Sequence, residues 1–189
     1  MRWSKRFLDL LVRLGVLRFD QALNLVTRHL DRSASIEVGG TSVPLSTIAS
    51  PDYGVTYWNG HIKLDWWPGG PKCFSISVND SLPDESQVAL LERLRVEAPL
   101  TRSEIEEAIF KYYQECIAPA GPTDWEGKPL RVVETTKALR RTIRGPQLII
   151  DEPLDEEPLE WSLHFGADWD GEHGARLVFQ NEKCIYVGN

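Results

Sequence analysis

The chain has 189 residues, with 21 Lys and Arg against 28 Asp and Glu, so its formal net charge is −7 at pH 7. This length, with a hydrophobic content of 42%, suffices for one domain with a core of its own. The three cysteines are widely spaced and form no CxxC motif, which argues against a disulfide framework or a zinc site and indicates a reducing compartment.

Residues 1–33 predict an N-terminal helical extension. Apolar residues recur with helical spacing over residues 5–14 and again over about residues 19–31. The charged residues Asp9 and Arg13 interrupt the first apolar run, and no small-residue cleavage site follows, so a signal peptide is not indicated. No stretch approaches the roughly 18 apolar residues of a spanning helix. We therefore expect a cytoplasmic protein without a membrane span.

Residues 34–78 predict β-strands. The segment 35–45 is typical of two short strands about Gly39-Gly40. Residues 55–58 and 62–66 flank Asn59-Gly60, a dipeptide that favours a type I′ turn, so we expect a tight hairpin there. Alternating apolar and polar residues over 74–78 predict a further strand with one polar face.

The middle of the chain predicts helices. Asp84, followed three residues later by Gln87, is typical of a capping box and indicates a helix to about residue 96. Thr101 and Glu104 have the same spacing and indicate a second helix to about residue 116. A short third helix is predicted over residues 135–144, before Gly145-Pro146.

The C-terminal third predicts strands. Residues 159–169 alternate strictly between apolar and polar side chains, and two shorter strands follow at 175–179 and 184–187. Strands, then helices, then strands predict an α+β fold, in which helices pack on one face of an antiparallel sheet or meander. We expect this domain to span residues 34–189, after the helical extension.

The negative charge is concentrated in an acidic segment, residues 151–172, which carries nine acidic residues and no Lys or Arg. Such a segment repels nucleic acid and attracts basic protein surfaces, so we expect a protein partner and no nucleic acid. The alternative is a solvated loop, balanced by the basic residues just upstream. Those basic residues are Lys137, Arg140, Arg141 and Arg144.

Candidate partner-binding residues follow from this charge and from one aromatic pair. The acidic candidates are Asp151, Glu152, Asp155, Glu156, Glu157 and Glu160. Adjacent tryptophans on a strand face opposite sides, so Trp66-Trp67 predicts one exposed ring, and Trp67 is the candidate anchor. Partial burial is the alternative for this pair.

The turn Asp168-Trp-Asp-Gly-Glu-His-Gly174 is a candidate metal site. Asp168, Asp170 and Glu172 offer oxygen ligands at alternate positions, as calcium loops do, and His173 could add a nitrogen ligand for another divalent metal. The twelve-residue EF-hand pattern is incomplete. Two alternatives remain: a structural turn, in which Asp170 bonds backbone and glycines adopt positive φ, or the tip of a partner contact.

The sequence contains no GxSxG, HExxH, GxGxxG or P-loop motif, so no catalytic residue and no cofactor is predicted. The candidate functions are accordingly binding functions. The exception is the metal alternative, which would allow a metal-dependent enzyme centred on the Asp168–Glu172 turn.

Three features resemble a family of uncharacterised bacterial domains of unknown function. They are a helix ending in Tyr112-Tyr113, the short helix before Pro146, and Trp169-Asp-Gly-Glu-His-Gly174 followed by a terminal Val187-Gly188. The resemblance covers about residues 34–189 and implies an α+β domain. It also implies a candidate immunity protein, because this family is often associated with polymorphic toxin systems.

These observations predict an immunity-type inhibitor that occludes a cognate, basic and nuclease-like bacterial toxin through its acidic surface. The alternatives are a metal-binding domain or enzyme at the 168–173 turn, with calcium or another divalent metal, and an adaptor without any toxin.

Overall fold

The computed structural model describes residues 34–50, 55–78, 82–124, 126–152 and 158–189, without the side chains of residues 48–50, 55, 56, 171 and 172. The predicted N-terminal extension lies outside the described residues. The strands are β1 (Ala34–Val38), β2 (Thr41–Ser50), β3 (Val55–Ile62), β4 (Lys72–Val78), β5 (Ile143–Ile150), β6 (Glu160–Ala167), β7 (Asp170–Gln180) and β8 (Lys183–Gly188).

Three α-helices lie in these ranges: α1 (Glu85–Val96), α2 (Arg102–Tyr112) and α3 (Thr136–Leu139). A π-helical segment, Tyr113–Ile117, and a 3₁₀ turn, Ala118–Ala120, continue α2. None of the described helices has the length and apolar character needed to cross a bilayer.

The eight strands form a single mixed sheet in sequential order from β1 to β8. Every neighbouring pair is antiparallel except β4 and β5, which are parallel. Parallel neighbours require a crossover connection, and all three helices lie in the one that joins these two strands.

The predicted fold class, an α+β arrangement with helices packed on an antiparallel sheet, is therefore wrong. One eight-stranded mixed sheet makes up most of the described structure. The strand pattern along the chain gave no sign that β4 and β5 run in the same direction, because pairing direction is set by the crossover. Of the predicted helix 135–144 only Thr136–Leu139 is helical, and β5 already begins at Ile143.

The core combines one face of the sheet with the buried sides of the helices. On β6 the odd-numbered residues Trp161, Leu163 and Phe165 are at most 1% exposed, as the predicted alternation requires. The Trp161 ring stacks on Phe179 of β7, with centroids 4.1 Å apart. Further residues of the same hydrophobic cluster are Phe74, Ile76, Leu148 and Ile150 from the sheet, and Leu91, Leu94, Ile105 and Ile109 from α1 and α2.

Several local predictions are confirmed. The strands about Gly39-Gly40 form a hairpin, and both glycines have positive φ, +57° and +72°. Both predicted capping boxes are present: Asp84 with Gln87 begins α1, and Thr101 with Glu104 begins α2. Each signal lies within four residues and needs no distant contact.

The predicted hairpin at Asn59-Gly60 is wrong, because β3 runs through this dipeptide to Ile62. Its residues serve the pairing with β4 instead. Ser75 donates a hydrogen bond from Oγ to Asn59 Oδ1 at 2.5 Å. A Cβ at Gly60 would lie 2.5 Å from Cζ of Phe74, so the glycine makes room for a fully buried ring. The dipeptide is thus used for close packing rather than for a turn.

We predict that Gly60→Ala lowers the free energy of unfolding by about 1–3 kcal/mol, because the added methyl group overpacks the core against Phe74. Urea unfolding followed by tryptophan fluorescence measures the change. Gly70→Ala is the matched control, since a Cβ there meets nothing within 4 Å, and its effect should stay within about 0.5 kcal/mol. Equal effects of the two variants would contradict the packing role of Gly60.

Candidate functional site

Six of the nine acidic residues belong to the acidic connection, which we define as residues 151–160 between β5 and β6. The backbone N–H of Asp151 donates to the carbonyl of Glu160 at 3.0 Å, so the two ends of the connection are held side by side. Asp155, Glu156 and Glu157 fall between these ends in sequence and lie outside the described residues. The connection therefore starts and finishes at one end of the sheet.

Arg176 is the cation that faces this connection among the described residues. Its Nη2 lies 3.8 Å from Asp151 Oδ2 and 3.6 Å from Glu160 Oε1. Burial raises the pKa of Asp151, against the opposing effects of Arg176 and of a hydrogen bond with Ser77. Glu152 has no ion-pair partner in the described part of the chain. Arg176 thus lies beside two of the described carboxylates, whereas the ten residues of the connection carry a formal charge of −6.

The upstream basic residues neutralise little of the acidic segment. Arg144 Nη1 lies 2.5 Å from Asp168 Oδ1. Arg140 pairs instead with Glu106, which lies outside that segment. The expected alternative, charge balance by these upstream basic residues, is seen at Asp168.

The predicted metal turn makes protein contacts that hold its own shape. The backbone N–H of His173 donates to Asp170 Oδ1 at 2.8 Å, and Asn189 Nδ2 donates to Asp170 Oδ2 at 3.3 Å. Gly174 has a φ of +70°, and a Cβ there would lie 2.0 Å from the carbonyl oxygen of Phe165. These contacts are those expected of a structural turn.

The four predicted metal ligands are not brought into one described cluster. Asp168 faces Arg144, whereas Asp170 and His173 lie 3.6 Å apart. The side chain of Glu172 is not described. Among the side chains that are described, no group of three or more His, Cys, Asp and Glu could hold an ion. The metal site stays a prediction.

The tryptophan pair lies in the turn after β3 rather than on a strand, and neither ring is exposed. Trp66 is half-buried and donates from Nε1 to the carbonyl of Leu94 at 2.6 Å. Trp67 is 8% exposed, with its ring centroid 5.5 Å from that of Phe165. A partner-binding role for Trp67 stays a prediction, with little of its surface accessible in the described structure.

Sequence reasoning missed a pocket on the helical side of the sheet, which we call the arginine pocket. Its volume is about 190 Å³. The charged side chains in its lining are Arg102, Arg140, Arg144 and Glu106, and the aromatic ones are Trp67 and Phe165. The Arg102 guanidinium lies over the Trp67 ring, 5.2 Å from its centroid, in a cation–π contact.

Glu106 holds the centre of the arginine pocket. Its side chain is 1% exposed, and each of its oxygens accepts one hydrogen bond: Oε1 from Nε of Arg102 and Oε2 from Nε of Arg140, both at 2.7 Å. Arg102 lies one helical turn before Glu106 on α2, whereas Arg140 caps the C-terminal end of α3. The i,i+4 spacing of Arg102 and Glu106 was a visible signal, but the 34-residue separation from Arg140 hid the third member.

A bulge in β5 completes the pocket. The β5–β6 register shifts between Arg144 and Gln147, and Gly145, within this bulge, lines the pocket. A Cβ at Gly145 would lie 2.9 Å from the carbonyl oxygen of His164. Bulges bend a strand and redirect its side chains. In β5 the bulge lies next to Arg144, which lines the pocket with the other two arginines.

The sequence model of the family described as Domain of unknown function (DUF6985) matches residues 47–189. The chain belongs to this family. The match includes the acidic connection, the 168–174 turn and every charged residue of the arginine pocket, and it starts 13 residues later than the predicted boundary at residue 34. Comparisons of this DUF6985 chain with curated proteins and with solved structures give no match.

We predict that Glu106→Gln lowers the free energy of unfolding by about 1–3 kcal/mol. The amide leaves both arginines without an anionic acceptor, and its nitrogen cannot accept a hydrogen bond from either of them. Both guanidinium groups still reach solvent, which limits the loss. Thermal and urea unfolding measure it. Glu107→Gln, at the next and exposed position of α2, is the control and should change stability by less than about 0.5 kcal/mol. A Glu106→Gln variant with an unchanged free energy of unfolding would show that the ion triad does not stabilise the fold.

His164 is a partly buried histidine in the middle of β6. It lies opposite Arg176 on β7, and its Nε2 is 3.1 Å from Ser162 Oγ. Burial, reinforced by the positive charge of Arg176, lowers the pKa of His164 from 6.5 to about 4. The folded state therefore keeps a neutral imidazole under conditions in which the unfolded chain would bind a proton.

We predict that stability falls as the pH drops from about 6.5 to about 4, because the unfolded state binds more protons throughout this window. The contribution of His164 is about 1–3 kcal/mol, and it is fully present above the upper limit. Urea unfolding at a series of pH values should show a flatter profile for His164→Gln. The exposed His61→Gln control should retain the slope of the unmodified protein. A profile for His164→Gln that is as steep as that of the control would contradict the assignment.

Proposed function

We propose that this DUF6985 chain is a protein-binding module, specifically an immunity-type inhibitor that occludes a cognate bacterial toxin through its acidic connection. The observation that supports the proposal most directly is the charge of residues 151–160. Six carboxylates lie in ten residues, and the two ends of this segment are held side by side at one end of the sheet. Among the described residues, Arg176 is the cation beside Asp151 and Glu160.

The partner that fits this charge is a cationic protein surface. Complementary charge speeds encounter and penalises partners of the same sign. A basic, nuclease-like toxin is a suitable target, since its active site is built to receive phosphate groups and carboxylates can take their place. The same charge disfavours nucleic acid as a direct ligand, because phosphate contacts need Lys and Arg.

The contributions within the connection differ. Asp151 is partly buried, and the same arginine lies near Asp151 and Glu160, so these two carboxylates hold the base of the connection as well as adding charge. Glu152 is half-buried and has no cationic partner in the described ranges. We assign the main attraction to Glu152 together with Asp155, Glu156 and Glu157.

The test is calorimetric titration of the full chain with the product of an adjacent toxin reading frame, together with stopped-flow association and an assay of toxin activity. We expect tight binding and inhibition. The triple variant Asp155→Asn, Glu156→Gln, Glu157→Gln should reduce the association rate by about tenfold or more at low salt, and less at high salt.

The control makes the same change of net charge elsewhere on the surface. Glu37, Glu92 and Glu97 are exposed on or next to β1 and α1, and their joint replacement by Gln should leave the association rate within about twofold. Absence of binding, or equal rates for the two triple variants, would contradict the proposal. Circular dichroism of each variant shows whether a loss of binding is due to a loss of folding.

A further inference from the structure

The arginine pocket has features of a ligand site that the proposed inhibitor function does not use. We propose that it binds a small oxyanion, a phosphate or carboxylate group, between the guanidinium groups of Arg102, Arg140 and Arg144. This inference is independent of the toxin proposal, since it concerns a cationic cavity rather than the acidic connection.

The arginine pocket carries an excess of positive charge. Three arginines line the cavity, and the carboxylates that face them in the described structure are Glu106 and Asp168. One positive charge is therefore left without a counter-ion among the described residues. Since Glu106 is shared by two arginines and buried, it cannot also neutralise the outer part of the pocket, where an anion would complete the balance.

Two arginines of the pocket keep hydrogen-bond donors for a ligand. Arg102 and Arg140 each use Nε to bind Glu106, and both side chains remain partly exposed, at 38% and 47%. A guanidinium group has five N–H donors in a fixed plane, so the terminal nitrogens keep donors for a further acceptor. The buried carboxylate of Glu106 thus orients two guanidinium groups at the same cavity, and this arrangement suits an acceptor with several oxygens.

The wall and the volume of the cavity suit a small anion. Trp67 and Phe165, both buried, form part of its wall beside the arginines. A wall of low polarity strengthens ion pairing, compared with bulk water. A volume of about 190 Å³ accommodates a phosphate or a small carboxylate, and is small for an entire nucleotide. The occupant is a free small anion or the terminal oxyanion of a larger ligand.

The experiment titrates the full chain with inorganic phosphate and, separately, with citrate, at constant ionic strength maintained with sodium chloride. Binding is followed by calorimetry and by ¹H–¹⁵N spectra that include the Trp67 indole N–H and the arginine Nε–H signals. We expect saturable shifts of these signals with at least one anion. The phosphate and citrate arms distinguish the two oxyanion chemistries.

Arg140→Gln and Arg102→Gln should weaken binding by about tenfold or more, because each removes a charged donor. Lys137→Gln is the control: it removes the same charge from α3 without removing a pocket residue, and should weaken binding by less than about twofold. The Arg144 side chain is 66% exposed and is not part of the buried triad, so Arg144→Gln should fold. This variant should also weaken binding.

Non-saturable shifts that chloride reproduces at the same ionic strength would overturn the site. An unchanged affinity in Arg144→Gln would also overturn it, provided that a folded Arg102→Gln or Arg140→Gln variant keeps its affinity as well. Saturable binding that is lost in Arg144→Gln and kept in Lys137→Gln supports it, even where a triad variant fails to fold.

Discussion

The parallel pairing of β4 with β5 determines where the helices and the charged regions of this domain lie. It joins the strands before the helices to those after them, with Phe74 opposite Leu148 and Ile76 opposite Ile150, all four residues fully buried. Parallel neighbours demand a crossover, and that crossover carries α1, α2 and α3. It therefore brings Glu106 of α2 within reach of Arg140, just before β5. It also brings the end of β5 beside β4, where Ser77 Oγ accepts a hydrogen bond from the backbone N–H of Glu152 at 2.8 Å.

This pairing explains which parts of the fold could be predicted from the sequence. Capping boxes depend on residues three apart, and the alternation along β6 depends on one face of the sheet. Both could therefore be predicted from short stretches of sequence. The direction of β5 relative to β4 depends on a connection of more than sixty residues and leaves no local mark. Asn59-Gly60 misled for a related reason: the same dipeptide that favours a turn also suits a strand that must accept the Phe74 ring at close range.

The candidate sites divide in the same way. Charge can be counted along the chain, so the acidic connection was identified before its position at the end of the sheet was known. The arginine pocket could not be found that way, because its members come from α2, the end of α3, β5, β6 and the turn after β3, and they meet only through the crossover. Trp67 shows the difference: its sequence context suggested an exposed anchor, whereas tertiary packing puts the ring beneath Arg102 and against Phe165.

The two charged regions lie at opposite ends of β5 and act independently of each other. Arg144 lies near the start of this strand and Asp151 follows its last residue, so roughly 20 Å of extended chain separates them. Glu106 engages Arg140, and Asp168 engages Arg144, each at hydrogen-bond distance. At physiological salt, charges farther apart than about 8 Å are largely screened, so these close pairs outweigh distant ones. Within the described structure Arg176 is therefore the cation close enough to act on the acidic connection, and the negative charge of the connection does not depend on what Arg140 and Arg144 bind.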